Sequence, residues 1–182
     1  GPCLACDACA ARPGTCVRHD AALPLLKDMA SASAACLVSP IYFYHLPAQA
    51  KALVDRAQAF WHLSPDRKPG GGRRLGVVLL GARPRGDKLF SGALLTVRYM
   101  AEALGFTAAE PLLLYGLDGA AALRRRPDLD ARATQYGRAP AAALLPPPPP
   151  APRDGPGSNQ VPRLTRAVSP HAGFPGHDPR IV

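Results

Sequence analysis

The sequence predicts an α/β fold in which a parallel sheet lies between two layers of helices. Two features of residues 20–138 carry this prediction. Short, continuous apolar runs end at turn residues, as strands buried on both faces do. The longer stretches between them repeat their apolar residues at helical spacing. Strands joined by helices run parallel, and right-handed crossovers place helices on both faces, so we expect a three-layer sandwich.

The elements follow in order from Asp20, a candidate N-cap for a helix that reaches about Ser31. The apolar run 34–38 is the first predicted strand, and it should be buried on both faces. Cys36, inside this run, is therefore interpreted as a small core residue. The aromatic-rich segment 41–46 follows as a loop.

Pro47 begins the clearest helix, which reaches Trp61. Its apolar residues form one stripe, so Lys51, Asp55 and Arg56 are predicted to face solvent. The remaining elements are a strand over 75–80, a helix over 90–104 that Gly105 ends, a strand over 111–115 and a helix over 127–136.

Proline dominates the carboxyl-terminal part, where Pro146–Pro150 is an unbroken run. Polyproline is extended and builds no core, so residues 139–182 are predicted to be a disordered tail. The predicted organisation is therefore a cysteine-rich loop over 1–19, an α/β domain over 20–138 and this tail.

The formal net charge of +9 does not indicate a nucleic-acid partner, because the basic residues neither line one helix nor alternate with aromatic residues. No run approaches the roughly 20 apolar residues of a membrane span, and no secretory signal opens the chain. A chain without an export signal is expected in the reducing cytoplasm, where its five cysteines favour metal binding over disulfides.

Four of the cysteines, Cys3, Cys6, Cys9 and Cys16, share a stretch with the spacing C-x2-C-x2-C-x6-C. Zinc sites usually separate two ligand pairs by a dozen or more residues, whereas cluster-binding runs are compact. The spacing favours a 4Fe–4S cluster; zinc, a disulfide pair or an empty site remain alternatives.

A second group of candidate residues lies where two predicted parallel strands end. Ligands bind at the carboxyl ends of strands in open α/β sheets, and adjacent strands bring their ends together. Aromatic rings and backbone N–H groups there suit a flavin ring, and aromatic residues that only pack beneath a loop are the alternative. The candidates are Ser39, Pro40, Ile41, Tyr42, Phe43, Tyr44, Gly81 and Arg83.

Three segments resemble the iron–sulfur flavoprotein group of the flavodoxin-like, NADPH-dependent FMN reductase superfamily. PCLACDACAARPGTCVRHD resembles the cysteine motif of that group, and ACLVSPIYFYHLPAQAKALVDR resembles its third strand, flavin loop and following helix. LGVVLLGAR and the helix over 90–104 resemble its fourth strand and helix. The resemblance covers roughly residues 2–138.

The resemblance implies a flavodoxin-like fold with FMN at the carboxyl edge of the sheet and a cluster that exchanges electrons with it. The four cysteines would be the cluster ligands, and residues 40–44 would lie along the isoalloxazine ring. Ferredoxin or NAD(P)H would be the redox donor, and the protein would be a homodimer or homotetramer.

In this family a strand, a phosphate-binding loop, a helix and a second strand would precede Gly1, so an amino-terminally truncated fold is expected. The strand at 34–38 would then have an unpaired edge. The expected function is an FMN-dependent electron-transfer oxidoreductase without a catalytic acid or base. The alternative is a non-enzymatic zinc-binding or inactive truncated module.

Overall fold

The computed structural model describes residues 1–64 and 72–138, and the predicted tail from residue 139 lies outside this part. The helices are α1 (Ala8–Ala11), α2 (Ala22–Ser31), α3 (Ala48–Arg56), α4 (Gln58–Trp61), α5 (Ser91–Ala103), α6 (Ala120–Arg124) and α7 (Pro127–Arg138). The strands are β1 (Ala35–Pro40), β2 (Arg74–Gly81), β3 (Thr107–Ala108) and β4 (Leu112–Tyr115). None of the helices in the described ranges is long and apolar enough to cross a bilayer.

The sheet is parallel and centred on β2. On one side β2 pairs with the whole of β1, from Ala35 opposite Leu75 to Pro40 opposite Leu80. On its other side β2 pairs first with β3 and then with β4. Among the described strands β1 therefore has one partner and forms an edge. The carboxyl ends of β1, β2 and β4 meet at one end of the sheet, as predicted.

Helices cover both faces of the sheet, which confirms the α/β sandwich. Leu75, Val77 and Leu79 of β2 belong to a core with residues of α2, α4 and α5. Val78, on the opposite face, belongs to a second core with β4, α6 and α7, which includes Leu129. The two cores follow from the two-residue period of a strand, which sends alternate side chains to opposite faces.

The prediction that the first strand is buried on both faces was wrong. Ser39 is buried, but Cys36 is exposed and Val38 is 63% exposed. The helices of the second face, α6 and α7, pack beside β4, and β1 lies at the far side of β2. Cys36 is therefore a surface residue of an edge strand and not a core residue.

The prediction that Arg56 faces solvent was also wrong, because it is 2% exposed. The predicted helix over 47–61 is present as α3 and α4, and Arg56 ends the first of them. Its guanidinium turns under the amino-terminal segment, whereas Lys51 and Asp55 form the partly exposed pair expected from an i,i+4 spacing. The short elements α1, β3 and α6 were missed because so few residues show no period.

A second buried arginine, Arg73, joins the ends of two helices. Its guanidinium lies 4.2 Å above the ring of Phe106. It donates hydrogen bonds of 2.7 to 3.2 Å to four carbonyl oxygens at the carboxyl ends of α2 and α5, those of Ala30, Ala32, Leu104 and Gly105. Helix carboxyl ends carry unpaired carbonyls and partial negative charge, so a buried cation is stabilised there.

Candidate functional site

The cysteine segment is an irregular loop around the single turn of α1. Ala5 and Asp7 have positive φ angles of 50° and 52°, a conformation that costs a residue with a Cβ of order 1–3 kcal/mol. The loop is fixed to the helical layer at Gly14, whose N–H donates to the carbonyl of Ala59 at 2.7 Å. The backbone thus holds an unfavourable conformation that brings the cysteines together on one side.

All four cysteines, Cys3, Cys6, Cys9 and Cys16, line one cavity of about 610 Å³. Its opposite wall is largely apolar and comes from α3, α4 and α5. Trp61 and Tyr99 form part of this wall and pack edge to face, with ring centroids 6.4 Å apart. The cavity is therefore a space between a thiol-rich loop and an aromatic helical surface.

The thiols surround this space without converging on a point. Within residues 1–64 and 72–138, no three thiol, imidazole or carboxylate groups could hold one metal ion as they stand. They are near enough to influence each other, however. Burial raises the pKa of Cys9, and the charges of Cys3, Asp7 and Cys16 raise it further, against a backbone hydrogen bond that lowers it.

Arg56 forms the inner wall of the cavity and fastens both ends of the cysteine segment. Its Nη1 donates to the Gly1 carbonyl at 3.0 Å and to Asp20 Oδ2 at 2.9 Å, and its Nη2 donates to the Arg18 carbonyl at 3.4 Å. Cys16 lines the same cavity as this guanidinium. Its Nε is buried and has no hydrogen-bond partner among the described residues.

Asp20 is the anion that accompanies this buried cation. The pKa of Asp20 is held well below its usual range, first by the hydrogen bond from Arg56, then by the amino terminus and by the N–H of Ala22. In turn, the hydrogen bond to Asp20 raises the pKa of Arg56. Asp20 Oδ1 accepts from the Ala22 N–H at 3.1 Å, so it caps the start of α2 as predicted.

The aromatic loop after β1 is a tight two-residue turn. The backbones of Tyr42 and His45 exchange hydrogen bonds of 2.9 and 3.0 Å. Phe43 and Tyr44 between them have φ angles of 50° and 63°, which is the pattern of a type I′ turn that normally uses Asn and Gly. Phe43 is fully exposed at its tip.

The loop after β2 lies beside this turn. Arg83 places its guanidinium carbon 5.6 Å from the centroid of the Tyr44 ring, and the Ile41 N–H donates to the Leu80 carbonyl at 2.8 Å. The structure thus brings the two predicted loops together. Two of the predicted flavin-binding residues face the protein interior instead. Ser39 is 3% exposed. Gly81 packs so closely that a Cβ atom there would lie 2.6 Å from the Leu89 side chain.

His45, which the sequence marked as an ordinary loop residue, joins the turn to α5. Its Nδ1 accepts from the Leu46 N–H at 2.9 Å, so its Nε2 carries the proton and donates to Thr96 Oγ1 at 3.0 Å. Thr96 also lines the cysteine cavity. One residue of α5 therefore touches both candidate sites, and no sequence signal indicated this link.

A parallel sheet with candidate ligand loops at its carboxyl end is the arrangement of open α/β folds, the flavodoxin-like proteins among them. The sequence profile of the NADPH-dependent FMN reductase family matches residues 2–104. This match spans more than half of the chain, so the chain belongs to that family of flavodoxin-like oxidoreductases, for which FMN is the implied cofactor. No curated protein matches the chain.

One solved structure with a TM-score above 0.5 shows the same fold at low sequence identity. A flavone reductase has a TM-score of 0.51 and 17% identity, over 71% of this chain and 49% of its own. A Trp repressor binding protein from Bacillus subtilis has a TM-score of 0.46 and 14% identity, over 64% of this chain and 70% of its own. The chain thus spans about half the length of the flavone reductase. At 17% sequence identity, this similarity shows a shared fold and nothing about function.

Proposed function

We propose that the protein is an iron–sulfur flavoprotein that passes electrons between FMN and a 4Fe–4S cluster. In this proposal Cys3, Cys6, Cys9 and Cys16 are the cluster ligands. The observation that carries it is that four thiols, contributed by one short segment, line a single cavity in a protein of an FMN reductase family. Thiolates are the usual ligands of such clusters.

The compact spacing of the four cysteines supports a cluster over zinc. A tetrahedral zinc site needs all four sulfurs about 2.3 Å from one point, and its two ligand pairs are usually separated by a dozen or more residues. A cubane cluster instead binds each thiolate on a different iron, so its ligands surround a volume. The cavity volume of about 610 Å³ leaves room for such a core.

The flavin contacts that we propose lie on the two adjacent loops. Residues Pro40 to Tyr44 would pack along the ring, and Arg83, already over Tyr44, would face its polar edge. Bound FMN would supply hydride acceptance from a nicotinamide and release of single electrons. The His45–Thr96 contact would connect the proposed flavin loop with the thiol cavity, because Thr96 also borders that cavity.

The remaining assignments extend the same proposal. The family description favours NADPH as the donor, and a ferredoxin is the alternative. We propose a homodimer or homotetramer, with the domain boundary near residue 138 and no nucleic-acid or membrane partner.

Anaerobic purification followed by iron, sulfide and zinc analysis tests the proposal. We expect roughly four irons and four sulfides per chain, together with flavin absorption. Cys16→Ser should lose most of the iron. Cys36→Ser is the matched control, because Cys36 is exposed on β1 outside the cavity and its loss should change nothing.

The sole tryptophan supplies an independent readout, since Trp61 lines the cavity. Loading with iron and sulfide should quench its fluorescence in the wild-type protein and not in Cys16→Ser. Zinc in place of iron would establish the metal-binding module instead, and a colourless, metal-free protein would refute both.

A further inference from the structure

We propose that Arg56 is a positioning residue for the metal centre, and that its buried charge raises the reduction potential of that centre. This inference rests on the cluster proposed above. Arg56 lies at the carboxyl end of α3 and lines the thiol cavity. Its guanidinium donates hydrogen bonds to the carbonyl oxygens of Gly1 and Arg18, near the start and the end of the cysteine segment.

The buried Arg56 guanidinium has one donor without a hydrogen-bond partner in the described part of the chain. A buried charge is costly unless its donors are paired. The two Nη atoms of Arg56 are paired with a carboxylate and two carbonyls, but Nε is buried without a partner in the described part of the chain. Cys16 lines the same cavity and would become a thiolate on metal binding. A negatively charged cluster in this cavity would offer an acceptor to the unpaired donor.

The positive charge of Arg56 would also affect the reduction potential of the cluster. Four thiolates around a 4Fe–4S core give a net charge of about −2, and uptake of one electron makes it about −3. A fixed positive charge beside the centre favours the more negative, reduced form. Lys51 and Arg18 are two further cations at the cavity, and the negative charges of Asp7 and Asp55, which also line it, counteract theirs. Lys51 is 41% exposed and already paired with Asp55, so solvent weakens its effect. Arg56 is the buried cation of the set.

The test compares variants of the protein reconstituted anaerobically with ferrous iron and sulfide. Arg56→Gln removes the charge, Arg56→Lys keeps it without the forked geometry, and Asp20→Asn removes the opposing charge while leaving Arg56 intact. Lys51→Gln is the control, because it removes one positive charge at the exposed side of the same cavity. Dithionite titration gives the midpoint potential, and the loss of visible absorption with a chelator gives iron retention.

We expect Arg56→Gln to shift the one-electron reduction equilibrium about tenfold toward the oxidised form, which is about 59 mV, and to lose iron several times faster. Asp20→Asn should shift the potential in the opposite direction. Arg56→Lys should keep most of the potential but retain iron poorly, and Lys51→Gln should stay near wild type. A purely structural role would give no opposite shift in Asp20→Asn.

Equal potentials and equal iron retention in Arg56→Gln and Lys51→Gln would overturn the role of Arg56 while leaving the cluster in place. A wild-type protein that binds no cluster would overturn both proposals. If Arg56→Gln does not fold, the other two variants decide the question: the potential should rise in Asp20→Asn, and Arg56→Lys should lose iron faster at a nearly unchanged potential.

Discussion

Two buried arginines, Arg56 and Arg73, show how the same residue type serves a site in one region and the fold in another. Both are less than 10% exposed, and both leave Nε without a hydrogen-bond partner among the described residues. Arg73 is surrounded by carbonyls at two helix ends and by the ring of Phe106. Arg56 instead pairs with a carboxylate and borders the cavity that the cysteines line.

The difference lies in what the partners can do. The carbonyl groups around Arg73 are fixed by the helices and do not titrate, so this cation holds two helix ends to the sheet. The partners of Arg56 come from the cysteine segment and from Asp20, which follows it, and they include an ionisable carboxylate. We therefore expect the Arg73 region to control global stability and the Arg56 region to control metal binding.

The largest expected effect on stability is that of Arg73→Met. It removes four hydrogen bonds from buried carbonyls, and unpaired buried groups cost about 1–3 kcal/mol each before relaxation. We expect the free energy of unfolding to fall by at least about 3 kcal/mol, since a lost buried charge network ranks among the costly changes. Urea unfolding followed by circular dichroism measures it. An unchanged midpoint would refute the role assigned to Arg73.

Arg56→Met should lower the free energy of unfolding less, by about 1.5–3 kcal/mol, because its partner Asp20 is partly exposed. The local effect should be greater than the global one. Alkylation of the thiols in metal-free protein should become faster at Cys9 and Cys16, which are partly buried. Mass spectrometry of labelled peptides measures this, with Arg73→Met as the reciprocal control. Identical thiol reactivity in the two variants would contradict the division of roles.

Acid should separate the two regions in the same way. The folded-state pKa of Asp20 lies below that of the unfolded chain. The contribution of Asp20 to the free energy of unfolding is therefore complete above the pKa of the unfolded state, near 3.9. It is lost as the pH falls through the pKa of the folded state. Amide NMR shifts at Ala22 should follow this loss, and Asp20→Asn should abolish the transition. Shifts at Gly105 near Arg73 should not follow it; a shared transition would show that the regions are coupled.

The sequence was sufficient for the longer strands and helices because their apolar residues follow a clear pattern. It also placed the aromatic residues and three of the four cysteines on loops, whereas Cys9 lies in α1. It failed at Arg56 because an arginine off an apolar stripe looks solvent-exposed, and its partners at residues 1, 18 and 20 are far away along the chain. The prediction that Cys36 is a core residue was wrong for the converse reason, because an apolar run does not reveal which face of an edge strand is covered.

A smaller effect is expected in the aromatic turn, where one double substitution should stabilise the fold and weaken FMN binding. Phe43 and Tyr44 adopt left-handed angles that favour Asn and Gly. The double substitution Phe43→Asn and Tyr44→Gly should therefore stabilise the fold by about 1 kcal/mol. The same change should weaken FMN binding, because it removes the proposed ring contacts. Thermal unfolding and fluorescence titration with FMN measure the two effects; tighter FMN binding would contradict the assignment.

The smallest expected effect concerns the link between the two sites. Thr96→Val keeps the shape of the side chain but leaves the His45 Nε2–H without its acceptor, at a cost of about 1 kcal/mol. We expect cluster content and bound FMN to remain, while electron exchange between them slows, because Thr96 borders both the turn and the thiol cavity. Stopped-flow reduction of the two centres measures this exchange. Thr96→Ser, which restores the hydroxyl, should restore the rate; an equally slow Thr96→Ser would show that the methyl group, and not the hydrogen bond, matters.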